Sequence, residues 1–467
     1  MMLDGTQVEL TNWSKSARSS CYVYKVTDTA GIESVLASAP AQHLSIIPRG
    51  AGHSYTDAAL NTAGVVIDVA PMRRIISWDA AKGVMCVEPG VTLREMVQVA
   101  WKDGWWPYAA PSTPEVTLGG CAAMNVNGRN AWKQGPFGET VLALDVLFPT
   151  GEKRTLLPER DVQLFHALIG SLGLLGIVTS VTVQLQHIPS GHVTVKKRSA
   201  SSLEGVFALF VEQEPVSDFM EAWLDGHARG DQFGRGILSS AALSDSGDTR
   251  STPFPTHGML GRLELPLVSF AAKLGRRVLL PAVPIANRAS YWFDRWTQKS
   301  TGTLRALSPY TFWPPAFFAG YSPMFPEGVE TFQAFVSRQE AQKLFARLLH
   351  FSQQQGCMPF WCVIKKHRGD AFLLSYQVDG FSLELNYQRT AQTADALRRA
   401  LQAMIAMTIE VGGRFYLAKD HFLTHHQYRQ SMGDAAVDTF LNLKQQYDPE
   451  SILQSDLYRR VFLPSSS

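Results

Sequence analysis

Ile46-Ile47-Pro48-Arg49-Gly50-Ala51-Gly52-His53-Ser54-Tyr55-Thr56-Asp57 decides the reading of this chain. Two β-branched residues, as at a strand end, run into glycines, a histidine, hydroxyls and a carboxylate. Gly50 and Gly52 free the backbone to take positive φ and to approach a ligand closely. Successive backbone N–H groups in such a turn form a nest for an anion such as pyrophosphate, with Arg49 and Ser54 as further donors. A glycine-rich surface turn is the plain alternative. The Walker pattern is excluded, because no Gly-Lys-Ser/Thr follows. The Rossmann fingerprint is excluded too, because Tyr55 stands where its third glycine would open a helix.

A second stretch of the same character is Ala110-Pro111-Ser112-Thr113-Pro114-Glu115-Val116-Thr117-Leu118-Gly119-Gly120-Cys121-Ala122-Ala123-Met124-Asn125-Val126-Asn127-Gly128-Arg129-Asn130. Gly119-Gly120 followed by small residues predicts a helix that opens against a ligand with its free N–H groups facing an anion. Between the two loops the pattern predicts strands at Gly64–Val69, Ile75–Trp78 and Val84–Glu88, and a helix over Val91–Asp103 capped by Thr92. Before them come a strand over Cys21–Val26, a helix over Thr29–Ser38 and a strand over Leu44–Ile47. After them, Val141–Phe148 and Lys153–Leu157 form a hairpin, and Thr179–Gln186 is another strand.

At 467 residues the chain exceeds what one hydrophobic core usually supports. From about Ser190 the texture changes to aromatics and alternating strands. Phe332–Val336, Phe360–Lys365, Phe372–Val378 and Phe381–Tyr387 read as an antiparallel sheet, with helices over Gln339–Gln354 and Ala391–Val411 and a polar loop over Leu243–Gly258. The division expected is 1–189, 190–414 and a C-terminal segment 415–467 that goes back to loop and helix. A formal net charge of +2 gives no reason to expect a nucleic-acid partner. Five cysteines, without Cys-x-x-Cys pairs, fit a reducing compartment, and Met1–Gly5 lacks the basic and apolar runs of a signal peptide, so the expectation is a cytoplasmic protein. No apolar run reaches the roughly 18 residues of a membrane span. Leu265–Ala289, broken by prolines and basic residues, fits peripheral contact with a membrane surface or a greasy substrate; a mobile loop packed on its own domain is the plainer reading.

Taken together these stretches resemble the vanillyl-alcohol-oxidase, or PCMH-type, FAD flavoproteins over nearly the whole chain. Within that superfamily the likeness is greatest to the decaprenylphosphoryl-ribose oxidase group. It rests on Leu10-Thr11-Asn12-Trp13, Arg49 to Asp57, Val116-Thr117-Leu118-Gly119-Gly120, Gly413-Arg414-Phe415-Tyr416-Leu417-Ala418-Lys419-Asp420 and Ser455-Asp456-Leu457-Tyr458-Arg459-Arg460. The resemblance implies an α+β, two-domain fold in which an antiparallel-sheet cap covers FAD and the segment 415–467 returns to the FAD domain. It implies cofactor contacts from Pro48, Arg49, Gly50, Ala51, Gly52, His53, Ser54, Tyr55, Asp57 and Ala58. Further contacts would come from Ser112, Thr117, Gly119, Gly120, Met124 and Asn127, from the backbone near Ile177, and from Tyr416.

Two departures from that group bear on chemistry. Its members have an arginine where this chain has His53, whereas sugar-lactone oxidases of the superfamily have Gly-His-Ser, with the histidine bonded to the flavin. His53 is therefore a candidate covalent attachment site; a histidine that only hydrogen-bonds a phosphate is the alternative. Asn127 and Glu384 stand where the group carries a histidine and a cysteine, so the substrate is expected to be held differently.

Oxidising an alcohol by hydride transfer needs a group that takes the hydroxyl proton. Lys419 is the candidate base, with Tyr416 close to the flavin and Lys365 as a second contact; a surface lysine is the default for either. Trp132, Tyr387, Phe317 and Phe318 are pocket or core. The function expected is an FAD-dependent oxidoreductase acting on a CH–OH group of a small molecule such as a sugar or polyol, with O2 or another acceptor. The same scaffold as a natural-product tailoring enzyme (oxidative cyclisation or dehydrogenation), as a C=C reductase, or with a purely structural flavin stays open.

Overall fold

The computed structural model describes residues 6–39, 42–247, 253–254, 268–276, 278, 280–299 and 301–464. The architecture is α+β. Strands Thr6–Thr11, Arg18–Lys25, Val65–Asp68 and Ile46–Arg49 lie in that order in one sheet, antiparallel in the first pair and parallel in the next two. A five-stranded antiparallel sheet follows, in the order Ile75–Asp79, Val84–Val87, Ile177–Gln184, Val141–Leu147, Lys153–Leu156. Helix Thr29–Ser38, capped by the Asp28 side chain on the Gly31 amide, turns the chain between the first strands. Helix Leu93–Ala100 begins at a capping box in which Thr92 and Glu95 satisfy each other's amides.

An eight-stranded antiparallel sheet takes strands from residues 192–415, in the order Thr303–Ala306, His192–Ala200, Gly236–Leu243, Phe219–Leu224, Trp361–His367, Gly380–Gln388, Val329–Ser337, Arg414–Phe415. Helices Leu203–Gln213, Arg338–Gln354 and Ala394–Ile409 pack on it. The period of two in strand Gly380–Gln388 decides which side chains face which way. Phe381, Leu383, Leu385 and Tyr387 enter the core with Leu344, Phe345 and Leu397. The alternate residues Glu384 and Asn386 line a cavity instead. The neighbouring strands add Gln333, Val363, Lys365 and Glu221 to the same wall.

The C-terminal segment runs back along the first sheet. The Ile46 amide donates to Ile452 O at 2.8 Å and the Gln454 amide to Ile46 O at 2.9 Å. Helix Asp456–Val461 packs on the turn Asp57–Ala59, where Arg460 Nη2 meets Asp57 Oδ1 at 2.7 Å. Burial acts to raise the Asp57 carboxyl, but the Arg460 charge and its hydrogen bond outweigh it, so the pKa lies below the ordinary value. A group with a depressed folded pKa stabilises the fold fully above its unfolded pKa, and that stability is lost as pH falls through the folded value. Asp57→Asn, which leaves Arg460 unpaired and largely buried, is expected to cost about 2 kcal/mol or more, read as a lower urea midpoint at pH 7. The difference from wild type should shrink below about pH 4.

Two expectations are corrected. Phe372–Val378 forms no strand. Asp370 Oδ1 accepts from the Phe372 amide and Ser375 Oγ from the Gln377 amide, so side chains satisfy the backbone locally in place of a ladder. Leu265–Ala289 is not a loop throughout: residues 268–276 are helical and a second helix spans Val283–Thr297. Pro284 sits in the first turn of that helix, where its missing N–H costs nothing. Residues 265–267, 277 and 279 of that stretch, and most of the polar loop expected over Leu243–Gly258, lie outside the described residues.

Candidate active site

A cavity of about 770 Å3 lies between the first two sheets and the eight-stranded sheet, within the roughly 300–1,000 Å3 usual for cofactor and small-molecule sites. One wall is the loop after strand Ile46–Arg49. Among the described residues the amides of Gly50, Ala51, Gly52, His53 and Ser54 have no hydrogen-bond partner, although all of these residues line the cavity. Such a run of free donors on a cavity wall is what an anion nest is built from. Gly52 has φ +68°, and a Cβ there would run into the Arg49 guanidinium. A Cβ on Gly50 would run into Thr117, so the two glycine-bearing loops interlock only without side chains at these points.

The second loop behaves differently from its expected role. Helix Leu118–Met124 forms with Thr117 as its N-cap. Its first amides are already engaged, Leu118 N donating to Val91 O at 2.8 Å and Gly119 N to Pro89 O at 2.9 Å. The helix start is thus tied to the chain and offers no free N–H cluster from those residues. Its glycines serve close packing: a Cβ on Gly119 would lie 2.6 Å from Pro89 Cβ.

Pro48, Gly50, Ala51, Gly52, His53, Ser54, Tyr55, Ser112, Thr117, Gly119, Gly120, Met124, Asn127, Lys365, Tyr416 and Lys419 all line the cavity. Arg49, Asp57, Ala58 and Ile177 do not. The Arg49 guanidinium donates to Thr11 O and Ala59 O, bracing the loop from behind. Asp57 is paired with Arg460, Ala58 is fully buried, and Ile177 packs in the core while its neighbours Gly176 and Val178 reach the cavity. Phe317 and Phe318 line the cavity, whereas Tyr387 donates to or accepts from Ser352 in the core and Trp132 lies off the wall.

The loop 416–420 is stitched to the glycine loop. The Tyr55 amide donates to Ala418 O and Thr56 Oγ1 to Leu417 O, both at 2.8 Å. This fixes Tyr416 and Lys419 on the cavity wall. The Tyr416 ring lies 4.1 Å from that of Tyr376, and burial raises its phenol well above the ordinary value. Tyr376 OH in turn donates to Asn125 O at 2.6 Å and accepts from Asn127 Nδ2 at 2.9 Å.

Lys419 Nζ lies 2.5 Å from Glu384 Oε2. Burial pulls the lysine pKa down against the pull of Glu384. Burial pushes the Glu384 carboxyl up, but the charges of Lys419 and Lys365 hold it below the ordinary carboxylate value. Beyond this pair, Lys365 Nζ stands 3.5 Å from Glu221 Oε2, and Arg129 Nε 3.3 Å from Glu221 Oε1. Cations and carboxylates therefore alternate along the roof. Sequence reading missed Arg129 and Glu221, and placed Glu384 without a partner. The signal for Glu384 was present: a carboxylate within strictly alternating Phe381-Ser382-Leu383-Glu384-Leu385-Asn386-Tyr387. His53 also faces the cavity, 6.3 Å from Trp13 ring to ring. Burial holds its imidazole below the ordinary pKa, with Glu115 opposing and Arg49 assisting.

Residues 21–156 match the family described as FAD binding domain. With the free amides of the glycine loop, the cavity and the capping sheet, this makes the chain an FAD-dependent oxidoreductase. Its sequence is similar to decaprenylphosphoryl-beta-D-ribose oxidase of Mycolicibacterium smegmatis, 26% identical over 465 residues covering 98% of each chain. It is also similar to D-lactate dehydrogenase of Anaerostipes hadrus, 29% identical over 198 residues (41% of each chain). L-gulonolactone oxidase of Mus musculus is 28% identical over 187 residues, 40% of this chain and 42% of that one. The residues present fit FAD on their own chemistry: unpartnered amides for a diphosphate, in a loop whose Gly50 and Gly52 leave no room for a Cβ against Thr117 and Arg49. Among the described residues no helix is long and apolar enough to cross a membrane.

Proposed function

We propose that the chain oxidises a CH–OH group of a small molecule, a sugar, polyol or related alcohol, in the cytoplasm. The observation that carries this reading is the Lys419–Glu384 pair at 2.5 Å on the wall of the cavity that the glycine loop also lines. Residues 1–189 and 415–467 form the cofactor domain and 190–414 the cap. The amides of Gly50 to Ser54 would hold the diphosphate, with Ser112, Thr117, Gly120, Met124, Asn127 and Tyr416, which line the same cavity, available to the rest of the cofactor. His53 is the point of covalent attachment. FAD supplies the hydride acceptor, and O2 or another acceptor receives the electrons afterwards.

The proton is the task of the chain's own residues. Oxidation to the carbonyl removes the hydroxyl proton together with the hydride. Lys419 in its amine form accepts that proton, and Glu384 beside it stabilises the ammonium that forms, so the two act as a unit. Burial, which pulls the lysine pKa down against the pull of Glu384, favours the amine form that accepts. Lys365 and Gln333 hold the remaining hydroxyls. The names of relatives support this chemistry: a ribose oxidase, a lactate dehydrogenase and a lactone oxidase.

The test is anaerobic bleaching of the visible flavin band by a panel of sugars, polyols and 2-hydroxy acids. At least one alcohol should bleach it within seconds to minutes and yield the matching carbonyl compound. Bleaching by no alcohol, with reduction by NAD(P)H and turnover of an enone, would replace this reading with a C=C reductase.

A further inference from the structure

The two helices over residues 268–276 and Val283–Thr297 carry a surface that the proposed chemistry does not use. On the first, Phe270, Leu274 and the following Val278 repeat at intervals of four and are all exposed. On the second, Ile285, Trp292, Phe293 and Trp296 are exposed, Trp296 at 84%. Isolated apolar residues on a surface are ordinary; seven large ones exposed within residues 270–296 mark a contact site.

The helix Val283–Thr297 is sharply two-sided. Its inner side is fastened to the cap: Asn287 Nδ2 donates to Asp225 at 3.0 Å, Tyr291 is buried under Arg235, and Asp294 pairs with Lys197 at 2.9 Å. Its outer side combines the exposed apolar residues with Arg288 and Arg295, and Lys299 follows just beyond the helix end. The first helix adds Lys273 and Arg276. Among the described residues of 268–299 the sole acidic side chain is Asp294, which is already paired. Tryptophan and phenylalanine beside arginine and lysine on one helix face is the composition that seats in the headgroup layer of a bilayer.

We infer that this face docks on an anionic phospholipid surface, the two helices lying in the plane of the interface. Their inner side lines the cavity at Val268, Ala271, Ala272, Leu280 and Val283, so docking sets that side of the cavity towards the bilayer. A second copy of the chain is the competing occupant, and the charge decides against it, since two such faces would bring like charges together.

The experiment is co-sedimentation of the full FAD-loaded chain with phosphatidylcholine vesicles, with and without phosphatidylglycerol at about a third of the lipid. The chain should pellet with the anionic vesicles at low salt, much less with phosphatidylcholine alone, and be released as salt rises. The double variant Trp292→Ser/Trp296→Ser should lower the partition on the order of 10-fold, and Arg288→Gln/Arg295→Gln by a similar factor. Both pairs lie on the exposed side, so each variant should keep the wild-type flavin spectrum and melting temperature. No pelleting with anionic vesicles at low salt would overturn the inference. So would unchanged partition in either variant, or a dimer abolished by the tryptophan variant without vesicle binding. Vesicle binding is read without turnover, so its failure is separate from failure of the redox reading.

Discussion

Lys419→Met should slow reduction of the flavin by the best alcohol donor about 100- to 10,000-fold, the range that removing a positioned proton acceptor commonly costs. The expected loss lies in the reductive step, with the flavin content unchanged, because Lys419 is held by Glu384 and by the backbone of its own loop rather than by the anion nest. Glu384→Gln keeps the shape of the strand but has no charge to stabilise the ammonium that forms, so it should lose a similar factor. The double variant should then cost little more than either single one, since residues that act as a unit are not additive. Rapid-mixing reduction rates check this. Single losses under about threefold would remove the dyad from the chemistry and leave it a structural ion pair.

The second large effect concerns His53. The wild-type flavin should stay with the polypeptide after acid precipitation, and His53→Ala should release all of it as free FAD. Burial keeps the imidazole neutral, so a ring nitrogen keeps its lone pair at physiological pH. The position also faces the cavity beside the free amides of the loop. The variant should still bind FAD, since those amides are backbone groups and Gly52, which sets the turn, is intact. Wild-type protein whose flavin washes off in acid would reduce His53 to a cavity-wall residue.

The glycine loop was readable because its function is local: free amides, positive φ and a strand end all lie within Ile46 to Asp57. The cofactor class and the return of the tail, whose Arg460 meets Asp57 across the chain, came instead from the resemblance that this loop shares with segments 413–420 and 455–460. What could not be read was set by pairing at long range. Whether Leu118 and Gly119 offer their amides to a ligand depends on the carbonyls of Val91 and Pro89, which sequence does not place beside them. The row of Arg129, Glu221, Lys365, Glu384 and Lys419 comes from separate strands and loops brought to one wall. The exposed face of 268–299 was half legible. Its composition pointed to an interface, but Pro284 read as a breaker when it in fact starts a helix.

The most direct test of the central claim, that the loop after Ile47 and the cavity it lines hold FAD, is the visible absorption spectrum of the purified chain. The account predicts a yellow protein with flavin bands and about one FAD per chain, and a Gly52→Val variant that is folded but loses most of the colour. A colourless wild-type protein whose spectrum and melting temperature do not change on titration with FAD would contradict it.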